Sequence, residues 1–93
     1  MPSYAEIKIE QVELQQEILR HLKHSLGKDP EHASIYDWRM SLSLALRDMI
    51  VEDIRSAQSH DDKEHVQILL HVLHHFLRDH PEAVPVQHPW SGP

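Results

Sequence analysis

The sequence predicts an all-α protein, a three-helix hairpin or bundle followed by a Pro-rich extended C-terminal tail. Three observations carry that prediction. Apolar residues recur at spacings of three and four over three long stretches. Helix-start and helix-stop residues fall between those stretches and not inside them. The composition, 40% hydrophobic and 26% charged with two glycines, is that of a folded helical chain and lies away from the disordered and β-rich extremes. With 93 residues there is room for one core. The expected organisation is a single helical domain over residues 1–80 and an extended tail over 81–93.

Ser3-x-x-Glu6 has the form of a capping box, and Gly27 follows Lys23 and His24, the left-handed stop and basic last turn that end a helix. The first helix is therefore expected over about residues 4–26. Leu14, Ile18, Leu19, Leu22 and Leu26 form its apolar stripe. Ile7, Ile9, Val12 and Leu14 partly alternate, so an extended lead-in with the helix starting near Gln11 stays open as an alternative. Lys28 to Ala33 reads as a connector, because Pro30 disfavours helical dihedrals at Asp29.

Ser34-x-x-Asp37 restarts the chain as a second helix over about residues 36–59. Trp38, Leu42, Ala45, Leu46, Met49, Ile50, Ile54 and Ala57 make a wide stripe on it, and Met40, Leu44 and Val51 a second, narrower one. Two apolar faces require two neighbours. Asp61-x-x-Glu64 is the expected cap of a third helix over about 62–79, stopped by Pro81. Val66, Leu69, Leu70, Leu73, Phe76 and Leu77 share one side of that helix, opposite Glu64, Gln67, His71, His75 and Arg78. A helix of this length is marginal alone, so it has to share a core with another element or another chain. Prolines 81, 85, 89 and 93 then favour an extended, polyproline-like segment. Its Val84, Val86 and Trp90 suit a strap across a groove on the helices, with a frayed terminus and a motif offered to a partner as the competing readings.

The charge balance excludes whole classes of partner. Nine Lys and Arg against fifteen Asp and Glu leave a net −6, which argues against nucleic acid or an anionic membrane. The richest apolar run, Val66 to Leu77, is interrupted by three histidines and is too short to span a bilayer. The first residues lack a secretory pattern, and cysteine is absent, which removes disulfides and thiolate metal sites; a cytoplasmic location is expected.

Nothing in the sequence points to catalysis. There is no Gly-rich phosphate loop, no cysteine nucleophile and no serine in a nucleophile elbow. Glu52-Asp53 and Asp61-Asp62 are adjacent acids, which on a helix point about 100° apart and cannot share one reacting group. The protein is expected to be no enzyme and to need no cofactor. Its ten histidines suggest other chemistry. His71 and His75 stand at i, i+4 and can present two imidazole nitrogens to one metal ion, but a closed zinc site takes about four ligands, which a two-fold dimer would supply. Solvated polar-face histidines are the competing reading. Full protonation of the ten would take the formal charge from −6 to about +4 between roughly pH 7 and 5, so a pH-responsive protein is a related alternative.

From His21 to His60 the residues resemble the N-terminal segment of the α-glucan (glycogen or starch) phosphorylases. The likeness is carried by His21-Leu22, Leu26, Lys28-Asp29, Ala33-Ser34, Asp37-Trp38, Leu42, Arg47-Asp48, and Gln58 with His60. In that family the sugar cleft and the lysine that carries pyridoxal phosphate lie in later domains, beyond the matching stretch, so phosphorolysis is not implied. The resemblance implies instead a segment that packs on a catalytic core and contributes to a subunit interface, with Asp29 and Glu31 facing a second subunit. It places Gln58 and Ser59 near an effector nucleotide, but Asp62 stands where regulated members have an aromatic and Ser59 where they have glutamine, which argues against a nucleotide effector. Ile54 replaces the family's usual Trp, and after His60 the likeness ends. The Arg47-Asp48 pair, like the Ser34 and Asp37 cap, is read as structural, with Arg47 expected to bond Asp29 or Glu31 across the hairpin.

The function expected on these grounds is a small non-catalytic interaction or regulatory module that self-associates as a homodimer and binds a larger enzyme. Met40, Leu44, Val51, Asp29, Glu31 and Trp90 are its expected interface. The alternatives are a histidine-rich metal-binding or pH-responsive protein and a split subunit of a glucan phosphorylase.

Overall fold

In the computed structural model, residues 4–84 are described, with their side chains from residue 12 onward. Helix α1 runs Tyr4–Arg20, α2 runs Ile35–Ser59 and α3 runs Lys63–Asp79. Among the described residues there is no strand, and the all-α, three-helix expectation holds. The alternative of an extended lead-in to Gln11 does not, since α1 is helical from Tyr4. The first capping box falls on Ser3 and Glu6, outside the described side chains.

The end of α1 is wider than a plain α-helical stop. His21–Ser25 forms a π-helical turn, with the Leu26 N–H donating to the His21 carbonyl at 3.0 Å. The Lys28 N–H reaches back to the Leu22 carbonyl at 2.9 Å, one residue further than the usual capping bond, because the π turn holds an extra residue. Gly27 takes the expected left-handed conformation, with φ +65. The turn buries His21 and Leu22 completely or nearly so.

Helix α2 starts as predicted. The Ser34 Oγ accepts from the Asp37 N–H at 3.2 Å and Asp37 Oδ2 accepts from the Ser34 N–H at 2.9 Å, a reciprocal capping box. That backbone bond outweighs the opposing desolvation and, with the Ser34 hydroxyl and the charge of Lys28, holds the Asp37 carboxyl below its ordinary value. At its other end the Asp62 N–H donates to the Ala57 carbonyl and the Asp61 N–H to the Gln58 carbonyl, a Schellman motif with Asp61 in the left-handed position at φ 53. Asp62, not Asp61, then caps α3, accepting from the His65 N–H at 3.1 Å. The predicted cap was one residue early because the left-handed bend itself occupies Asp61. Asp61→Gly should therefore raise stability by about 0.5–1 kcal/mol, read as a Tm higher by a few degrees in thermal unfolding. An unchanged or lower Tm would show that the bend carries no strain.

Packing is centred on α2, which lies against both α1 and α3, while among the described residues α1 and α3 make no approach to each other. The buried residues of α2 explain this. At 100° per residue, Ser41 and Ala45 fall on the opposite side from Ser43 and Ile54, so the two neighbours sit on opposed faces. The result is a flat body of 48 × 42 × 22 Å, with a Cα radius of gyration of 15.2 Å against about 12 Å for a close-packed domain of this length. Helix α2 does have neighbours on two faces, but they cover Ser41, Ser43, Ala45, Ile54 and Ala57, while Met40, Leu44 and Val51 of the predicted second stripe stay half-buried.

The C-terminal segment departs from the expected extended tail at its start. Pro81–Ala83 forms a 3₁₀ turn that packs on α2 and α3, and Ala83 is fully buried. The Ser43 hydroxyl donates to Glu82 Oε2 at 2.8 Å and Arg47 Nη1 donates to the Ala83 carbonyl at 3.1 Å. The helical body therefore continues past residue 80. Val86 and Trp90, two of the predicted strap residues, lie outside the described residues.

Candidate functional site

The densest polar cluster sits where the π turn of α1 meets the middle of α2. His21 is 5% exposed. Its Nε2 lies 2.6 Å from Asp48 Oδ2 and its Nδ1 lies 2.8 Å from the Ser25 Oγ. An ionised carboxylate can only accept, so Nε2 carries the proton. Arg20 Nη2 also donates to Asp48 Oδ2, at 3.2 Å, and to Glu17 Oε2 at 2.6 Å. Arg47 donates to the other oxygen, Asp48 Oδ1, through Nε at 3.2 Å and Nη2 at 3.0 Å.

Burial works to raise the Asp48 carboxyl, but the hydrogen bonds from His21 and Arg47, together with the charges of both, outweigh it and hold Asp48 below the usual carboxylate range. Asp48 is thus ionised at neutral pH with both oxygens engaged. A general base needs a free lone pair aimed at its substrate, and here the donors take them up. Through Arg47 the cluster also reaches the Ala83 carbonyl, so one carboxylate ties α1, α2 and the C-terminal turn together.

Glu17, His21 and Asp48 place ligand atoms within 4.8 Å of one another, the spacing a metal ion would need. The charges argue for a different occupant. Two carboxylates face two guanidiniums, Arg20 and Arg47, so the cluster is already balanced and a cation would have to displace bonded arginine. Beside the cluster a cleft of about 530 Å³ lies between α1 and α2, lined by Glu13, Glu17 and Arg20 on one side and by Asp48, Val51 and Arg55 on the other. Arg55 pairs with Glu52 at 3.7 Å.

The sequence-predicted residues are scattered by comparison. Met40, Leu44 and Val51 are half-buried; Met40 lines a groove near the start of α2 and Val51 lines the cleft. Asp29 and Glu31 are exposed on the connector. Arg47 does not bond either of them: its partners are Asp48 and the Ala83 carbonyl, because the C-terminal turn fills the space beside it. His71 and His75 are exposed, and among the described residues no third ligating group joins them. His75 stands edge-on to His74 with ring centroids 5.7 Å apart. Trp90 lies outside the described residues. His21 was not singled out as a site residue. The signals that could have found it are the i, i+4 pairs Glu17 and His21, and His21 and Ser25, the first being the spacing that stacks a carboxylate on an imidazole.

Exposed apolar surface is the other prominent feature. Helix α3 contains no buried side chain, and Ile68, Leu70 and Val72 are 54%, 49% and 44% exposed. No described helix is long and apolar enough to cross a membrane. No family model matches the chain, and neither a curated protein nor a solved structure does, so the likeness of residues 21–60 to the α-glucan phosphorylases rests on those residues alone.

Proposed function

We propose that the protein is a non-catalytic interaction module that works as an assembly, pairing with a second copy of itself and presenting the pair to a larger protein. The observation that carries this reading is the poverty of the core. Among the described residues the buried hydrophobic side chains are Leu22, Ala45, Ile54, Ala57 and Ala83, three of them alanine. The accessible surface is 7558 Å², whereas a folded monomer of 10.9 kDa exposes about 5,600 Å². The surplus exceeds the roughly 800 Å² per partner that a stable interface buries. Ile68 and Val72, one helical turn apart on α3, form the apolar edge best placed to be covered.

The saturated bonding of Asp48 supports the non-catalytic half of the reading, since its hydrogen bonds go to groups that tie the helices together. The phosphorylase likeness is consistent with a helical hairpin that packs on another chain, and no phosphorolysis is proposed.

The test is sedimentation velocity over a hundredfold range of protein concentration, on the parent and on Ile68→Ser/Val72→Ser. The parent should sediment as a dimer or larger. The variant should dissociate with an affinity on the order of 100-fold weaker, since about 3 kcal/mol of apolar burial is removed, while keeping its helical circular dichroism. A parent mass of one copy throughout the range would end the proposal.

A further inference from the structure

The bonding of His21 has a polarity that holding two helices together does not require. Its Nε2 proton is given to Asp48 Oδ2 at 2.6 Å, so Nδ1 carries a lone pair, and the Ser25 hydroxyl lies 2.8 Å from that lone pair. The hydroxyl is the donor in such a pair, and its proton points at the imidazole. A serine, an imidazole that accepts its proton and a carboxylate that orients the imidazole form the arrangement in which a hydroxyl becomes a nucleophile. The two ring nitrogens exchange the places they have in the usual hydrolase triad. The requirement is unchanged: a proton on the carboxylate side and a lone pair on the hydroxyl side.

The three groups differ in burial as that chemistry needs. His21 is nearly buried, Asp48 is ionised with both oxygens bonded, and Ser25 is exposed. The π turn spans His21–Ser25 from end to end and brings the hydroxyl to the ring. The base of the cluster is therefore His21 and not Asp48, whose lone pairs are taken up.

We infer that Ser25 is a covalent attachment site for an acyl group from an ester or thioester donor, with His21 as its base and Asp48 as the positioning residue. Ser25 Oγ attacks the donor's carbonyl carbon and forms the new C–O bond as the hydroxyl proton passes to His21 Nδ1. The imidazolium keeps its Nε2–H on Asp48, whose charge offsets it. The tetrahedral intermediate then collapses. The bond from the carbonyl carbon to the leaving oxygen or sulfur breaks, and the leaving group takes the proton from Nδ1. The products are acyl-Ser25 and a free alcohol or thiol.

The reaction stops there. The N–H groups that follow Ser25 are committed, Leu26 to the His21 carbonyl, Gly27 to that of Lys23 and Lys28 to that of Leu22, so none of the three is left to hold an oxyanion. That restricts the donor to one with a good leaving group, and the alkyl ester formed on Ser25 has a poor one. Acylation is a single modification without turnover, and it goes beyond the pairing through α3 without depending on it.

The test treats the full chain at neutral pH with p-nitrophenyl acetate and follows each acetylated position in time by peptide mass spectrometry. Ser56 and Ser59, exposed at the end of α2, are the internal reference, since among the described residues neither has an imidazole held by a carboxylate. General base assistance contributes about 10²–10⁴-fold, so Ser25 should be acetylated roughly 100-fold faster than either reference serine. The excess should vanish in urea and in His21→Gln. Asp48→Asn, whose amide can donate to Nε2 and so move the ring proton to Nδ1, should slow Ser25 severalfold or more and leave Ser56 unchanged. Circular dichroism checks that each variant is helical, and the comparison within the folded parent decides if one is not. Ser25 acetylated no faster than Ser56 and Ser59 would overturn the inference. So would a fast Ser25 that keeps its rate in urea or in a helical His21→Gln chain, because His21 would then not be the base.

Discussion

Asp48→Ala should lower the stability of the fold by about 2–4 kcal/mol at neutral pH, seen as a Tm roughly 10–20 °C lower at fixed protein concentration. The figure lies below that for a fully buried ion pair because Asp48 retains 32% of its side-chain exposure and solvent screens part of the interaction. What the substitution leaves behind sets its size. His21, 5% exposed, loses its acceptor, and Arg20 and Arg47 face each other across the helix junction without the carboxylate between them. The pH dependence gives a second signature. The Asp48 carboxyl is held below its ordinary value in the folded chain, so its contribution is fully present above the unfolded value near 3.8 and disappears as pH falls through the lower, folded value. The parent should therefore lose stability steeply below about pH 4, and Asp48→Ala should show a shallower acid limb. Part of that limb remains, because Glu82, lowered by its bond from Ser43, and Asp37, lowered by the Ser34 N–H, titrate in the same direction. A variant that melts within about 2 °C of the parent at pH 7 would show that the cluster contributes nothing net.

The helices were legible in the sequence for reasons that the Asp48 cluster does not share. Ser34, Asp37, Gly27 and Pro81 act through their own backbone geometry and their nearest neighbours, so their effect is written locally. The cluster depends on which side of α2 meets α1, and that was decided by residues no hydrophobic pattern would choose. Ser41 and Ser43 are buried at 0% and 7% exposure, on opposed faces, because a small side chain lets a neighbouring backbone come close. Ser43 recovers a hydrogen bond by donating to Glu82, while the Ser41 hydroxyl is buried without a partner among the described residues. A leucine stripe predicts that a helix is covered; it does not predict where two backbones approach.

The same limit explains Arg47. Its role as a structural bond was readable from its place beside Asp48 on a long helix, but its partners were not. The connector with Asp29 and Glu31 was the nearest charge in the expected hairpin, whereas the Ala83 carbonyl became available only because Pro81–Ala83 folds back as a 3₁₀ turn. Proline at the first position of such a turn is compatible with both an extended and a turned chain. The choice between them fell to Ala83, whose methyl is buried, and to the bond from Ser43 to Glu82.

The largest expected effect belongs to Leu22. It is the one large apolar side chain among those fully buried in the described residues, at 0% exposure, and it sits in the π turn that faces α2. Leu22→Ala removes its transfer free energy and leaves a cavity, at a cost of about 2–5 kcal/mol. A domain of this size has about 5–14 kcal/mol in total, so one methylene cluster accounts for a large share of the stability. The remaining core offers little compensation, since Ala45, Ala57 and Ala83 cannot move to fill the space. Urea unfolding at fixed protein concentration should place the Leu22→Ala midpoint far below the parent. Leu19→Ala, at a position 39% exposed three residues earlier on the same helix, should cost less than about 1.5 kcal/mol. Equal costs at the two positions would mean that α1 and α2 are held by the charged cluster alone. A Leu22→Ala cost that exceeds the Leu19→Ala cost severalfold would place the apolar centre of the hairpin at the π turn.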